Sequence, residues 1–518
     1  MPHFAALVRR SKILLVFVLV AFLLSLLGVQ VDLTNSDLGR HLVNGRELLA
    51  GHWEVLYHNY YSYTHPEFAF VNHHWGSGVV FYALSLLGSI EAVRWGYVAL
   101  MGITYFILYA WLAHRFGFAG VFVAVGLVVP LLVTRAEIRP EGFSYFFVVL
   151  YITYLERLRH KSSVSWRSFL PLAFVQILWV NLHVYFILGI GLFGYYALSY
   201  SSIFPFVRFR SAHHLAGLIM LVLASCISPF GAGSLLFPFL IFKEYGYEIV
   251  ENKSLMFLLS WGMRNQQYFH LIFVDALVAV SGLIFIRSRY RHLIFYWALA
   301  AMFCVWATFA VRNTALAGMF ASVWFAVFFH KVMAPSLSQA LRTSQVMVSI
   351  LLMLIVFVGS LFAYGQWYGA LIENNLKAPS VQQDQVRGEF ISSHVRGPIF
   401  NNYDIGSYLV YLLYPRERVY VDNRPEAFPV SFFTDEYKQM NDPKVFAALY
   451  EKYNFSAVVF QHRDLTPWAQ GFLRNIVNDE SWVPVYVDGR VVVLLQDNEQ
   501  NKQVIEDFAI PREAFRFN

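Results

Sequence analysis

Apolar runs of membrane-spanning length recur along most of this sequence and leave little choice of fold class. They lie near 13–30, 91–113, 117–134, 141–157, 168–183, 184–202, 212–229, 268–286, 292–311, 313–330 and 345–366, about eleven in all. A helix crossing a bilayer needs about 20 predominantly apolar residues. Backbone N–H and C=O groups find no partner in hydrocarbon, so each run is expected to be helical. Composition agrees: 58% of residues are hydrophobic and 14% charged, where soluble domains are about a quarter charged. The first run, Ile13 to Val29, follows Arg9-Arg10-Ser11-Lys12. It lacks a small-x-small cleavage site before Val31-Asp32 and reads as an uncleaved helix. Cys226 and Cys304 both fall inside apolar runs and read as packing residues.

Basic residues assign the sides of the membrane. Arg9/Arg10/Lys12, Arg115, Arg157/Arg159/Lys161/Arg167, Arg208/Arg210, Arg287/Arg289/Arg291 and Lys331/Arg342 alternate with loops that are poorer in cations. Placing these clusters in the cytoplasm puts the N-terminus inside and the C-terminal region outside. The scheme leaves Arg94, Lys243, Lys253 and Arg264 outside. The acids then segregate outward: Asp32, Asp37, Glu47, Glu137, Glu141, Glu244, Glu248 and Glu251 lie outside, and Glu156 is the main cytoplasmic acid. Trp75 to Gly88 is apolar but covers only roughly 21 Å as a helix, short of a core of about 30 Å. It is expected to be re-entrant or interfacial.

Composition changes near Ala370. Arg418–Asp422, Ser456–Phe460 and Arg490–Leu495 are short β-branched runs and predict strands. Pro443 to Tyr453 carries apolar residues at helical spacing, with Asp442 as N-cap and Pro443 at the first helical position. The expected organisation is a transmembrane module over 1–369, with a large first outer loop over 31–90, and a soluble extracytoplasmic α/β domain over 370–518. The location is a cell (inner) membrane. The net charge of +6 serves topology, and no nucleic-acid partner is expected.

Polar residues gather at the outer ends of the spans. They include Asp37, Arg40 and His41; His73, His74 and Trp75; Glu137 and Arg139; Asn181 and His183; and Arg312 and Asn313. Polar groups so close to hydrocarbon are costly unless they pair or line a wet cavity. One shared cavity accounts for all of them. Arg139 and Arg312 suit bidentate phosphate binding, and Asp37 or His41 suits the role of base. Each also has a plainer reading. Asp37 could be an N-cap for the helix through Leu48, His183 could tie neighbouring helices, and the arginines could be interfacial anchors. Asp275, inside an apolar run, is expected to pair with a cation.

The ordered set of motifs resembles the GT-C superfamily of polytopic glycosyltransferases, in particular its less characterised bacterial branch. The set comprises Asp37-x-x-x-His41 with Gly45, Ser62-Tyr63-Thr64, Trp75, Arg139-Pro140, Trp179-x-Asn181-x-His183, Ser228-Pro-Phe-Gly231 and Arg312-Asn313. Asn401-Asn-Tyr-Asp-Ile-Gly406-Ser-Tyr-Leu409, Pro415 and Val421-Asp422-Asn-Arg424 resemble the outer domain of that branch. The resemblance implies transfer of a sugar from a polyprenyl-phosphate donor to a glycan, lipid or protein acceptor at the outer leaflet. It casts Asp37 as base or as ligand of a divalent cation (Mg or Mn), and Glu137 as a second acid. His73, His74, Trp75, Arg139, Asn181, His183, Arg312 and Asn313 become substrate-binding candidates. A transporter or flippase of lipid-linked saccharide would instead predict paired half-helices and internal repeats, and no repeat is present. A polymerase or ligase of surface polysaccharide shares the chemistry.

Overall fold

The computed structural model describes all residues except 1, 29, 30, 32, 35, 134–136, 162, 200–210, 241–244, 287–292, 377–380 and 516–518. Asp32, Arg135, Ser162, Arg208, Arg210, Lys243, Glu244, Arg287, Arg289 and Arg291 therefore lie outside the described residues.

The helical part runs through α1 (Pro2–Leu27), α2 (Leu38–Leu49), α3 (Trp75–Phe116), α4 (Phe118–Leu132), α5 (Glu141–Arg159), α6 (Leu170–Leu182), α7 (Ile187–Ser199) and α8 (Ser211–Ala224). It continues through α9 (Phe237–Leu240), α10 (Leu255–Ser260), α11 (Gln266–Ile286), α12 (Ile294–Phe309), α13 (Thr314–Phe328), α14 (Ala334–Ala340) and α15 (Gln345–Leu376). Each apolar run expected from the sequence contains a helix among the described residues. Trp75–Phe116, Gln266–Ile286 and Val311–Ala340 are long and apolar enough to cross a membrane, and others such as Phe118–Leu132 are apolar but shorter. Phe17, Phe174, Leu283, Phe309 and Phe362 are exposed on these helices. Such apolar exposure is costly in water and free of cost in lipid.

The short apolar segment from Trp75 is the first part of α3. The helix breaks at Gly88 and Ser89, where Ser89 has φ +63°. A side chain at Gly96 would meet Leu84 Cδ1 at 2.8 Å. Residues so spaced on a straight helix would lie roughly 18 Å apart. The two parts of α3 therefore fold back on each other at the break.

Beyond α15 come α16 (Val381–His394), β1 (Ile399–Asn401), α17 (Gly406–Leu413), α18 (Pro443–Tyr453), β2 (Ala457–Gln461), α19 (Pro467–Asn478), β3 (Trp482–Val487), β4 (Val491–Gln496) and α20 (Lys502–Phe508). The sheet order is β1-β2-β4-β3, with β1 parallel to β2 and the other pairs antiparallel. The α18 cap forms as expected: Asp442 Oδ1 accepts from Lys444 N at 2.9 Å. Two of the three expected strands form. The third, Arg418–Asp422, is no strand, because its backbone is satisfied elsewhere. Val419 N donates to Tyr61 O at 3.1 Å, and Ser62 Oγ donates to Tyr420 O at 2.9 Å. Asn401 supplies the rest, accepting from Tyr420 N at 3.0 Å and donating to Val421 O at 2.7 Å. This segment is the seam between the C-terminal region and the first loop.

Candidate active site

Two close backbone approaches assemble the site. A side chain at Gly45 would lie 2.2 Å from Gly78 O, and one at Gly76 would lie 2.5 Å from Asn181 O. Only glycine permits α2 and the end of α6 to touch α3 this closely. Ser77 Oγ donates to Leu182 O at 2.6 Å, and Trp75 Nε1 donates to Asn181 Oδ1 at 3.2 Å. The consequence is a packed group of imidazoles. The His73 and His74 rings lie 4.0 Å apart, His74 stacks on His183 at 5.0 Å, and His41 meets His74 edge-on at 5.9 Å.

These histidines line a cleft of about 900 Å³ together with Asp37, Arg40, Arg139, Glu141 and Arg312. The rest of the lining comes from the 245–252 segment and the C-terminal region, and includes Tyr247, Glu251, Tyr403, Asp404, Asn423, Glu426, Asp464 and Trp468. Tyr247 stacks on Tyr403 with centroids 4.1 Å apart. The cleft thus combines arginines and imidazoles with carboxylates and aromatic rings.

Asp37 precedes α2 at the N-cap position, yet its side chain makes no cap hydrogen bond. It turns instead to Asn423, whose Nδ2 donates to Asp37 Oδ1. Asn423 Oδ1 accepts from Arg40 Nε at 3.2 Å. Burial, with the charges of Arg40 and Arg139, holds His41 well below the usual histidine range. Burial likewise lowers His74 and pulls His73 down to about 4. Burial thus disfavours the charged form of all three rings. His41 Nδ1 and His74 Nε2 are buried without a hydrogen-bond partner among the described residues. Burial and the charges of Asp464 and Asp37 push Asp404 up to about 7, and burial raises Glu426.

Of the candidates from sequence, Asp37, His41, His73, His74, Arg139, His183 and Arg312 line the cleft. Glu137, Trp75, Asn181 and Asn313 do not. Glu137 Oε2 accepts from Arg139 Nε at 2.6 Å, and Glu251 Oε2 accepts from Arg139 Nη1 at 2.9 Å. Arg312 Nη1 donates to Asn252 Oδ1 at 2.8 Å. Asn181 Nδ2 donates to Ile227 O at 2.9 Å, and Asn313 Oδ1 accepts from Tyr185 OH at 2.8 Å. Asp275 pairs with a hydroxyl where a cation was expected: Thr308 Oγ1 donates to its Oδ2 at 2.8 Å. Among the described residues no group of three or more His, Cys, Asp or Glu side chains is arranged to hold a metal ion.

Sequence reasoning missed Asp404, Asn423 and Glu426 as cleft residues. For Asp404 and Asn423 the signal was present in Asn401–Leu409 and Val421–Arg424, two motifs singled out for resemblance alone; Glu426 lies just beyond the second.

No protein-family model and no curated protein sequence matches the chain. Solved structures do. The archaeal oligosaccharyltransferase AglB from Archaeoglobus fulgidus, in complex with an inhibitory peptide and a dolichol-phosphate, is 11% identical with a TM-score of 0.61. That match covers 92% of this chain and 74% of the other. ArnT from Cupriavidus metallidurans in the apo state is 13% identical, with a TM-score of 0.54, and covers 96% of this chain and 98% of that one. ArnT bound to undecaprenyl phosphate matches at 12% identity, a TM-score of 0.53 and coverage of 93% and 98%. AglB and ArnT share one architecture, and this chain has the same fold.

Proposed function

We propose that the protein transfers a sugar from a polyprenyl-phosphate-linked donor to an acceptor hydroxyl on the outer face of a cell (inner) membrane. The observation that carries this reading is the cleft itself, in which the Asp37 carboxylate lies among Arg40, Arg139 and Arg312. Solved proteins of the same fold bind dolichol-phosphate and undecaprenyl phosphate, which supports a lipid-phosphate donor. In this reading the spans alternate as the basic clusters dictate. The N-terminus is cytoplasmic, and residues 370–518 form an extracytoplasmic domain over the cleft.

The reaction breaks the bond between the sugar's anomeric carbon and the phosphate oxygen, and the electron pair leaves on the phosphate. A new bond forms from the acceptor oxygen to the anomeric carbon, and the acceptor proton passes to the Asp37 carboxylate. A phosphate leaving group needs positive charge more than a proton, which Arg139 and Arg312 supply. Asp37 is the better base than His41, because burial and nearby arginines disfavour the protonated form of His41. The histidines act as hydrogen-bond partners for sugar hydroxyls. No step is routed through a metal ion.

Mass spectrometry of lipid-linked and surface glycans, in cells with and without the gene, tests the reading. A sugar missing from an acceptor and retained on a polyprenyl phosphate is the expected result. Identical profiles overturn it. Impermeant thiol labelling tests the topology: Gln383→Cys should label in intact cells, and Ser162→Cys should not.

A further inference from the structure

The C-terminal region reaches into the cleft at one place with unusual precision. Asp422 and Arg424 are both buried. Arg424 Nε donates to Asp422 Oδ1 at 2.8 Å, and its Nη2 donates to Asn59 Oδ1 at 3.2 Å. Its guanidinium lies over the Phe70 and Tyr61 rings at 4.7 and 5.2 Å. A buried charge tied to a carboxylate, a loop amide and two rings is expensive to move. The residue between these two anchors, Asn423, is thereby aimed at α2. A second tie comes from the other motif: Ser407 Oγ accepts from Arg40 N at 3.0 Å. The two motifs interlock, since a side chain at Gly406 would lie 2.3 Å from Val421 O.

We propose that Asn423 is a positioning residue, whose side-chain amide holds the Asp37 carboxylate and the Arg40 guanidinium in the geometry that transfer requires. The C-terminal region is then part of the reacting centre. The inference rests on the reading of Asp37 as the base. An amide suits the place because one group must donate to a carboxylate and accept from a guanidinium at once. Asn423 does both, through Nδ2 and Oδ1. Aspartate would fit the space and lose the donor. Leucine would fit and lose both functions. Glutamine keeps the amide on a longer arm, and the cleft has room for it.

The test expresses full-length Asp37→Asn, Asn423→Asp, Asn423→Leu and Asn423→Gln in cells lacking the gene. It reads glycan product by mass spectrometry, with membrane abundance and thermal midpoint alongside. Asn423→Asp and Asn423→Leu are expected to lower product at least about tenfold at wild-type abundance and midpoint, as misplacement of a reacting group does. Asn423→Gln should recover much of the output. A purely structural tie would lower abundance and thermal midpoint along with product, since Asn423→Asp also sets a carboxylate against Asp37. If Asn423→Leu lowers abundance, the isosteric Asn423→Asp decides. Product within twofold of wild type for Asn423→Asp, with Asp37→Asn inactive, overturns the inference and leaves the base assignment intact. Loss in all three Asn423 variants with lowered midpoints makes Asn423 a structural tie, which also overturns it. Full product from Asp37→Asn removes the base, and the inference falls with it.

Discussion

The two ends of α5 carry acids in opposite circumstances. Glu141 lines the cleft. Glu156, roughly 22 Å along the same helix, is buried at the far end and heavily paired. It accepts from Tyr196 OH at 3.1 Å and Tyr296 OH at 2.8 Å, with Arg159 at 3.4 Å and Arg115 at 4.0 Å. Around the cleft, by contrast, His41 Nδ1 and His74 Nε2 are buried with no partner among the described residues. A saturated polar cluster holds helices together. Buried polar atoms kept open beside a cavity cost stability and repay it only when something enters. The difference supports the proposal that the cleft end does the chemistry, and substitutions at each end can break it.

The largest effect is expected at Asp37. Asparagine caps a helix about as well as aspartate, and the Asp37 side chain makes no cap bond in any case. Asp37→Asn should therefore leave a folded, membrane-inserted protein and lower transfer by roughly 10²–10⁴, the worth of a general base. Product within about twofold of wild type at matched abundance would remove Asp37 from the mechanism. Arg312→Lys comes next. Lysine keeps the charge and loses the planar fork that matches a phosphate. A drop of about tenfold is expected, since a single oxyanion donor is worth as much or more. Unchanged glycan output from both Arg312→Lys and Arg312→Ala would reduce Arg312 to an anchor.

Much of this architecture was legible in the sequence, for reasons that differ by element. Helices of the apolar runs follow from hydropathy, because lipid forbids an unpaired backbone. Asp37 and His41 were legible as a pair because helical spacing puts them on one face. His183 and Arg312 were legible because several separate spans place polar residues at one outer depth, which a shared cavity explains. Asn423 was not legible as a partner of Asp37. The two are 386 residues apart, and no periodicity encodes which loop a distant domain will meet. Arg418–Asp422 misled for the same reason. Its β-branched residues predict a strand, and the first loop claimed its backbone instead.

A smaller effect, of another kind, is expected at the far end of α5. Glu156→Gln keeps an acceptor oxygen for only one of the two tyrosines, which bond different oxygens, and removes the charge facing Arg115 and Arg159. Both arginines are partly exposed, with side chains 32% and 20% accessible, so water covers part of the loss. A cost of about 1–3 kcal/mol is expected, read as a lower thermal midpoint in detergent. Output per folded molecule should hold. A loss of output without a loss of stability would break the division between the two ends.

A last effect sharpens the contrast, because it makes a cleft acid act on stability. Burial pushes Asp404 up to about 7 from an ordinary value of 3.8, with Asp464 and Asp37 adding to the shift. The sign follows from linkage. The folded protein holds this proton more tightly than the unfolded chain does, so folding is favoured when the proton is present. That contribution is complete below pH 3.8, falls as pH rises toward 7, and is lost above it. Asparagine mimics the protonated carboxyl at every pH. Asp404→Asn should therefore raise the thermal midpoint at pH 8 and raise it less at pH 5, where the wild-type carboxyl is itself largely protonated. Midpoints of both proteins at the two pH values are the measurement. An equal gain at both, or a loss at pH 8, would mean that Asp404 keeps its charge comfortably in the cleft. The cleft carboxylates would then be as well satisfied as the Glu156 cluster, and the comparison between the two ends would rest on the histidines alone.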